Sequence, residues 1–238
     1  KFIKIIGFEN PFIWVFILKL ISSLLGFLAL LWFYLNFRNI FFKDNTFNRL
    51  FIFLFFFYPY FHARTSSENI GTSFFVLGFI IFYNIIIYNN KRNYVLNTLA
   101  CGILFGLAII SRYQILIFIL PLYFWTIIFH ISYDNLKKLF IIGCSIILVL
   151  IFGLYLDSHG YESFNLTYYK YFYANFIGGM LDFFGSDPWW YYLNSIVINF
   201  APPIGLLFLV SLLVLFFKSI KNSIVFISIF YLIIFSII

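Results

Sequence analysis

The chain has 238 residues, of which 64% are hydrophobic, 26% aromatic and only 10% charged, a mix far from that of a soluble globular domain. Its formal charge of +7 comes from basic residues scattered between apolar runs, and with no basic stripe there is no footprint for nucleic acid. The composition points instead to an all-α, polytopic transmembrane protein, because apolar runs of roughly 17 to 25 residues recur and each can cross a hydrocarbon core about 30 Å thick as a helix.

In chain order the pattern predicts about eight spanning or near-spanning segments, at residues 11 to 35, 49 to 61, 69 to 88, 97 to 110, 113 to 131, 138 to 156, 194 to 217 and 222 to 238. The second is short and ends at Pro59, so it need enter only part of the membrane. Residues 97 to 131 are divided at "SRYQ" (Ser111 to Gln114), since one helix of that length would run to about 52 Å at 1.5 Å per residue, far more than a bilayer needs. Charge bias supports the division. Arg38, Lys43 and Arg49, then Lys91 and Arg92, then Lys137 and Lys138, then Lys218 and Lys221 occupy alternate connections, which the positive-inside rule places in the cytoplasm. Glu9, Glu68, Asp157, Glu162, Asp182 and Asp187 fall in the other connections. The longest of these, residues 157–193, is expected as an outer loop on a luminal or periplasmic face. No internal repeat, Gly/Ser linker or low-complexity tract divides the chain. It begins at Lys1 without a methionine and stops inside an apolar run, so residues 1–238 are expected to be part of one transmembrane domain, open at both ends.

Polar residues beside the bilayer are the candidates for function, because a charge in a membrane helix is expensive and tends to face a cavity or find a partner. "YFHARTSSENIG" supplies Arg64 and Glu68, and "SRYQ" supplies Arg112 and Gln114. Arg64 and Glu68, four apart at a helix start, suit a structural ion pair as well as a ligand role. Arg112 could equally snorkel to water. His62 and His159 lack a second ligand at useful spacing and read as interfacial hydrogen-bonding groups. Lys19, with no assigned partner, reads as a snorkelling or packed residue of the first helix. Cys101 and Cys144 sit in apolar runs without metal spacing and are expected in the core, and nothing implies a cofactor. The loop acids could serve a glycosyl transfer or hydrolysis, which needs a carboxylate near the reacting hydroxyl, but spacing alone selects none. Most of the 18 tyrosines read as an interfacial belt. Asn165, Leu166 and Thr167 form a glycosylation sequon.

The order of residues in the long loop is more specific than its composition. "DSHGY", then Asn175, then "FGSDPWWYYLNSIVINF" resembles the signature loop of glycosyltransferase family 22, the membrane mannosyltransferases of N-glycan and GPI assembly. The matching positions are Asp157, Ser158, Tyr161, Asn175, Phe184, Gly185, Pro188, Trp189 and Tyr192, and Leu193, Asn199 and Phe200 most resemble the N-glycan α-1,2-mannosyltransferase branch. The resemblance implies a GT-C fold and an inverting transfer of a hexose, mannose, from a polyprenyl-phosphate donor such as dolichyl-phosphate mannose to a glycan or glycolipid acceptor. It implies Arg64 and Arg112 on the donor phosphate. A sugar and acceptor groove would be formed by Glu68, Gln114, Asp157, Ser158, Tyr161, Asn175, Trp189 and Tyr192, with Asp157 as a loop organiser or acceptor contact. The general base is expected in an acidic motif upstream of Lys1. After the loop tyrosine the family commonly has Gly and Lys, where this chain has Glu162 and Ser163. Rival readings are a GT-C transferase for another sugar, a lipid-linked sugar transporter, which would call for inverted repeats, and a non-catalytic scaffold.

Overall fold

The computed structural model describes residues 11–41, 66–88, 93–164, 166–178, 188, 190–199, 202–219 and 221–237. Among them every regular element is helical: α1 (Pro11–Phe41), α2 (Ser67–Ile87), α3 (Tyr94–Ser111), α4 (Leu116–Phe129), α5 (Tyr133–Gly160), α6 (Thr167–Phe172), α7 (Tyr191–Asn199), α8 (Pro202–Ser219) and α9 (Ser223–Ile237). A 3-10 turn at Tyr113–Ile115 precedes α4, and a π turn at Tyr173–Ile177 follows α6. Four described helices, α1, α2, α3 and α5, are long and apolar enough to cross a membrane. The surfaces of α1, α3 and α5 carry large exposed side chains such as Phe12, Leu24, Ile103, Phe140 and Leu148, as expected where the surrounding solvent is hydrocarbon.

The described chain divides into two compact units, Lys1–Ile115 with Ile141–Leu150, and Leu116–Phe140 with Ile151–Ile238. In the first, α1 and α2 run parallel. The Asn69 side-chain amide donates to Ser22 Oγ at 2.9 Å near one end and the Asn84 side-chain amide donates to Asn36 Oδ1 at 3.2 Å near the other. Between these amide bonds lies an aromatic seam in which the rings of Phe33, Phe37, Phe75, Phe79, Tyr83 and Phe105 follow one another at centroid distances of 4.8 to 6.5 Å. α3 returns antiparallel to α2, so that Gly78 faces Phe105 and Gly71 faces Ser111 and Ile115. The middle of α5 then lies on α3 through two glycines one turn apart. A Cβ on Gly102 would strike Ser145 and the Ile142 carbonyl, and one on Gly106 would strike Val149. Small residues at such a spacing let backbones approach closely, which is how helices associate when lipid removes the hydrophobic drive.

In the second unit α4 and α9 pack antiparallel through stacked or edged ring pairs: Phe118 with Tyr231 at 4.9 Å, Phe124 with Phe230 at 6.1 Å and Phe129 with Phe226 at 6.0 Å. Trp125, 1% exposed, donates its indole N–H to the Lys221 carbonyl at 2.7 Å. α4 stops at Phe129, and His130 stands in the turn beyond it with its ring 4.5 Å from that of Trp125. Burial there holds the imidazole below its ordinary value, and Lys221 pushes the same way. α5 starts with a side-chain cap, Ser132 Oγ accepting from the Asn135 amide at 3.1 Å, and Asp134 lies in its first turn, where both features favour a helix N-terminus.

Several expectations change. The divided segment 97 to 131 does break at Arg112, whose backbone is extended (φ −157°, ψ 114°). The segment 194 to 217 is instead two helices, α7 and α8, because Pro202 and Pro203 suit a first turn and cannot continue a preceding helix. The chain is still helical where the long loop was expected to begin, since α5 carries Asp157, Ser158 and His159 in its last turn. Cys101 is buried with Sγ 3.5 Å from the Gly78 carbonyl, but Cys144 is exposed and not a core residue. It lies on the same helix as Ser145 but outside the seam that Ser145 makes with Gly102. Segment 49 to 61 lies outside the described residues.

Candidate functional site

At the end of the first unit where α2 begins and α3 finishes, the polar residues are drawn together by the chain's own breaks. Ser66 caps α2, its Oγ accepting from the Asn69 amide at 3.2 Å, which leaves Glu68 in the first turn, a favoured place for a carboxylate. α3 ends at Ser111 because Arg112 turns extended and the 3-10 turn follows. Arg112 thereby reaches two partners. Its Nη1 meets Glu68 Oε1 at 2.6 Å, and its Nε donates to Gln114 Oε1 at 2.6 Å. Glu68 and Arg112 are 61% and 35% exposed. Ser111 Oγ donates to the Leu107 carbonyl at 2.8 Å and Thr72 Oγ1 to the Glu68 carbonyl at 2.6 Å, so the hydroxyls nearby serve the helix ends.

The chemistry follows from this geometry. A guanidinium held on two sides presents a fixed fork, and its remaining N–H groups can donate to an oxyanion with little ordering cost. Of the four residues expected here, Glu68, Arg112 and Gln114 come together. Arg64 lies outside the described residues. Among the described residues Glu68 pairs with Arg112, at the break after α3.

The described residues of the long loop belong to the second unit and are organised locally. Thr167 Oγ1 donates to Asp157 Oδ2 at 2.7 Å, tying the start of α6 to the last turn of α5. Tyr161 ends α5, its amide donating to the Asp157 carbonyl at 2.9 Å. Glu162 follows with φ 55°, the left-handed conformation in which glycine commonly terminates helices. The position where the resemblance would place Gly is thus one where glycine costs least, and Glu162 carries the Cβ penalty of that backbone. Tyr161 is 65% exposed and Ser158 half-buried. Tyr169 and Tyr173 lean on each other at 6.0 Å. Asn175 lies in the π turn, closed by the Gly178 amide donating to the Tyr173 carbonyl at 2.6 Å, an irregularity often found at functional sites. Tyr192 lies in α7. The side chains of Asn175 and Tyr192, and the whole of Trp189, lie outside what is described.

Sequence reasoning missed two residues that hold these arrangements. Thr167 was read only as the third position of a sequon, and its bond to Asp157 spans ten residues with no periodic signal. Ser22 lies in an apolar helix, and its bond to Asn69, the neighbour of Glu68, was signalled only by two serines in an otherwise greasy run.

Comparison with known proteins adds the identity of the group. The model of the Alg9-like mannosyltransferase family matches residues 1–238. No curated protein and no solved structure matches the chain.

Proposed function

Because the chain belongs to the Alg9-like mannosyltransferase family, we propose that it transfers a hexose, mannose, from a polyprenyl-phosphate donor to a hydroxyl of a glycan or glycolipid acceptor at the non-cytoplasmic face of its membrane. The family supports a glycosyltransferase of mannosyl type, and the four described helices long and apolar enough to cross a membrane support a membrane protein. The observation that carries the finer reading is the Arg112 guanidinium fixed between Glu68 and Gln114 at a helix break.

In the proposed reaction the acceptor oxygen attacks the anomeric carbon while a carboxylate takes its proton, and the bond from that carbon to the lipid phosphate breaks with its electrons passing to the phosphate. Arg112 stabilises the departing phosphate, and Arg64 is assigned the same role. Prefixed donors aimed at developing negative charge are commonly the largest single contribution to catalysis. Glu68 and Gln114 keep the fork in place, and Asp157 organises the loop through Thr167. Ser158, Tyr161, Asn175, Trp189 and Tyr192 are assigned to the sugar and acceptor groove, where flat rings suit sugar faces. The distribution of basic connections supports assigning the Ser66 end to the luminal or periplasmic side.

The test uses membranes containing the full-length protein, labelled polyprenyl-phosphate mannose and, separately, other polyprenyl-phosphate hexoses. The expected product is a mannosylated glycan or glycolipid. Transfer of a different hexose in preference, or transfer only from a nucleotide sugar, would contradict the proposal.

A further inference from the structure

We infer that Lys19 is a second cation for the donor lipid's phosphate, an inference that rests on the function proposed above. The Glu68–Arg112 pair is neutral as a whole, since a carboxylate and a guanidinium at 2.6 Å cancel each other's charge at a distance. A phosphate leaving group needs a surplus of positive charge, and among the described side chains of the first unit the charge without an opposite partner is Lys19.

Its place is fixed by the seam beside it. Ser22 is 2% exposed and accepts from Asn69, the residue after Glu68, and Lys19 lies three residues earlier on α1, about 4.5 Å nearer the helix N-terminus. Because α1 and α2 run parallel and side chains on a helix lean toward its N-terminus, Lys19 and Glu68 both lean toward the end where Arg112 and Gln114 stand. Lys19 is exposed, Ser23 Oγ donates to its backbone carbonyl at 2.6 Å, and among the described residues its ammonium meets no carboxylate. A lone ammonium on an apolar helix costs a few kcal/mol unless it reaches water or an anion, and its flexible stem lets it follow a phosphate entering from the lipid. The ligand is a lipid-borne phosphate, from either the sugar donor or bulk anionic phospholipid.

The test compares Lys19→Met and Lys19→Arg with wild type in the full-length enzyme. Donor KM for polyprenyl-phosphate mannose, inhibition by sugar-free polyprenyl phosphate, and acceptor KM are measured in nonionic detergent freed of phospholipid and again with anionic phospholipid added. Lys19→Met is expected to raise donor KM and weaken polyprenyl-phosphate inhibition together by about tenfold. Acceptor KM and the melting temperature should be unchanged, and Lys19→Arg should restore donor use. Equal donor KM in wild type and Lys19→Met overturns the inference, showing a snorkelling lysine. A difference that appears only with anionic phospholipid also overturns it, assigning Lys19 to bulk lipid. If wild type itself uses no polyprenyl-phosphate sugar, the function proposal fails, and this inference with it. An unchanged Lys19→Met beside an active wild type sinks this inference alone.

Discussion

The two polar regions of the molecule are held by different means. In the first unit Glu68, Arg112 and Gln114 come from separate elements, and their two bonds at 2.6 Å depend on helices that approach through Gly71, Gly78 and Gly102. In the second unit the Asp157–Thr167 bond spans ten residues and the aromatic side chains around it, Tyr161, Phe164, Tyr169 and Phe172, are largely exposed. A charge cluster set by tertiary packing is fixed before a ligand arrives, which suits stabilisation of a developing charge. A loop set by local bonds with its rings uncovered would, under the function proposed above, suit a bulky glycan acceptor.

This contrast can be broken from either side. The largest effect is expected at the packing of the first unit. Gly102→Leu forces a side chain into Ser145 and the Ile142 backbone, where no flexible group can yield, and it should cost about 3 kcal/mol, seen as a lowered melting temperature in detergent with loss of transfer. The loop should respond less. Thr167→Val and Asp157→Asn should each cost about 1 kcal/mol, the double mutant costing less than the sum. Additive losses would show that the bond carries nothing.

The smallest effect is expected with pH. The folded value of His130 lies below its ordinary 6.5, so the unfolded chain binds the proton first as pH falls. Stability contributed by the neutral ring is complete above the ordinary value and declines as pH drops from 6.5 toward the folded value. A melting temperature followed from pH 7.5 to 5 (values on the order of one unit either side of the ordinary histidine range) should fall more in wild type than in His130→Gln. Equal slopes would remove His130 from the account.

The helical, membrane-spanning character was legible because lipid admits little else: an apolar run must satisfy its backbone internally. The break at Arg112 was legible from length, since an undivided helix would overrun the bilayer. The Arg112–Glu68 contact was not, because no local spacing relates the two residues and it takes the antiparallel return of α3 along α2 to bring them together. The division of residues 194 to 217 was marked by Pro202 and Pro203, yet hydropathy outweighed them. The continuation of α5 through Asp157 was hidden because its polar last turn resembles a loop in composition, while the backbone bond from Tyr161 to Asp157 is helical. Glu162 shows the opposite case, a helix end fixed by a left-handed backbone that its residue type does not announce.

The central claim is that Arg112, held by Glu68 and Gln114, receives the donor phosphate. Its most direct test is single-turnover transfer from labelled polyprenyl-phosphate mannose by the full-length enzyme carrying Arg112→Ala, with Arg112→Lys as the conservative partner. The account predicts a loss of roughly 10²- to 10³-fold in Arg112→Ala, partial recovery in Arg112→Lys, which keeps the charge without the fork, and little change in acceptor binding. Transfer by Arg112→Ala at the wild-type rate would contradict it.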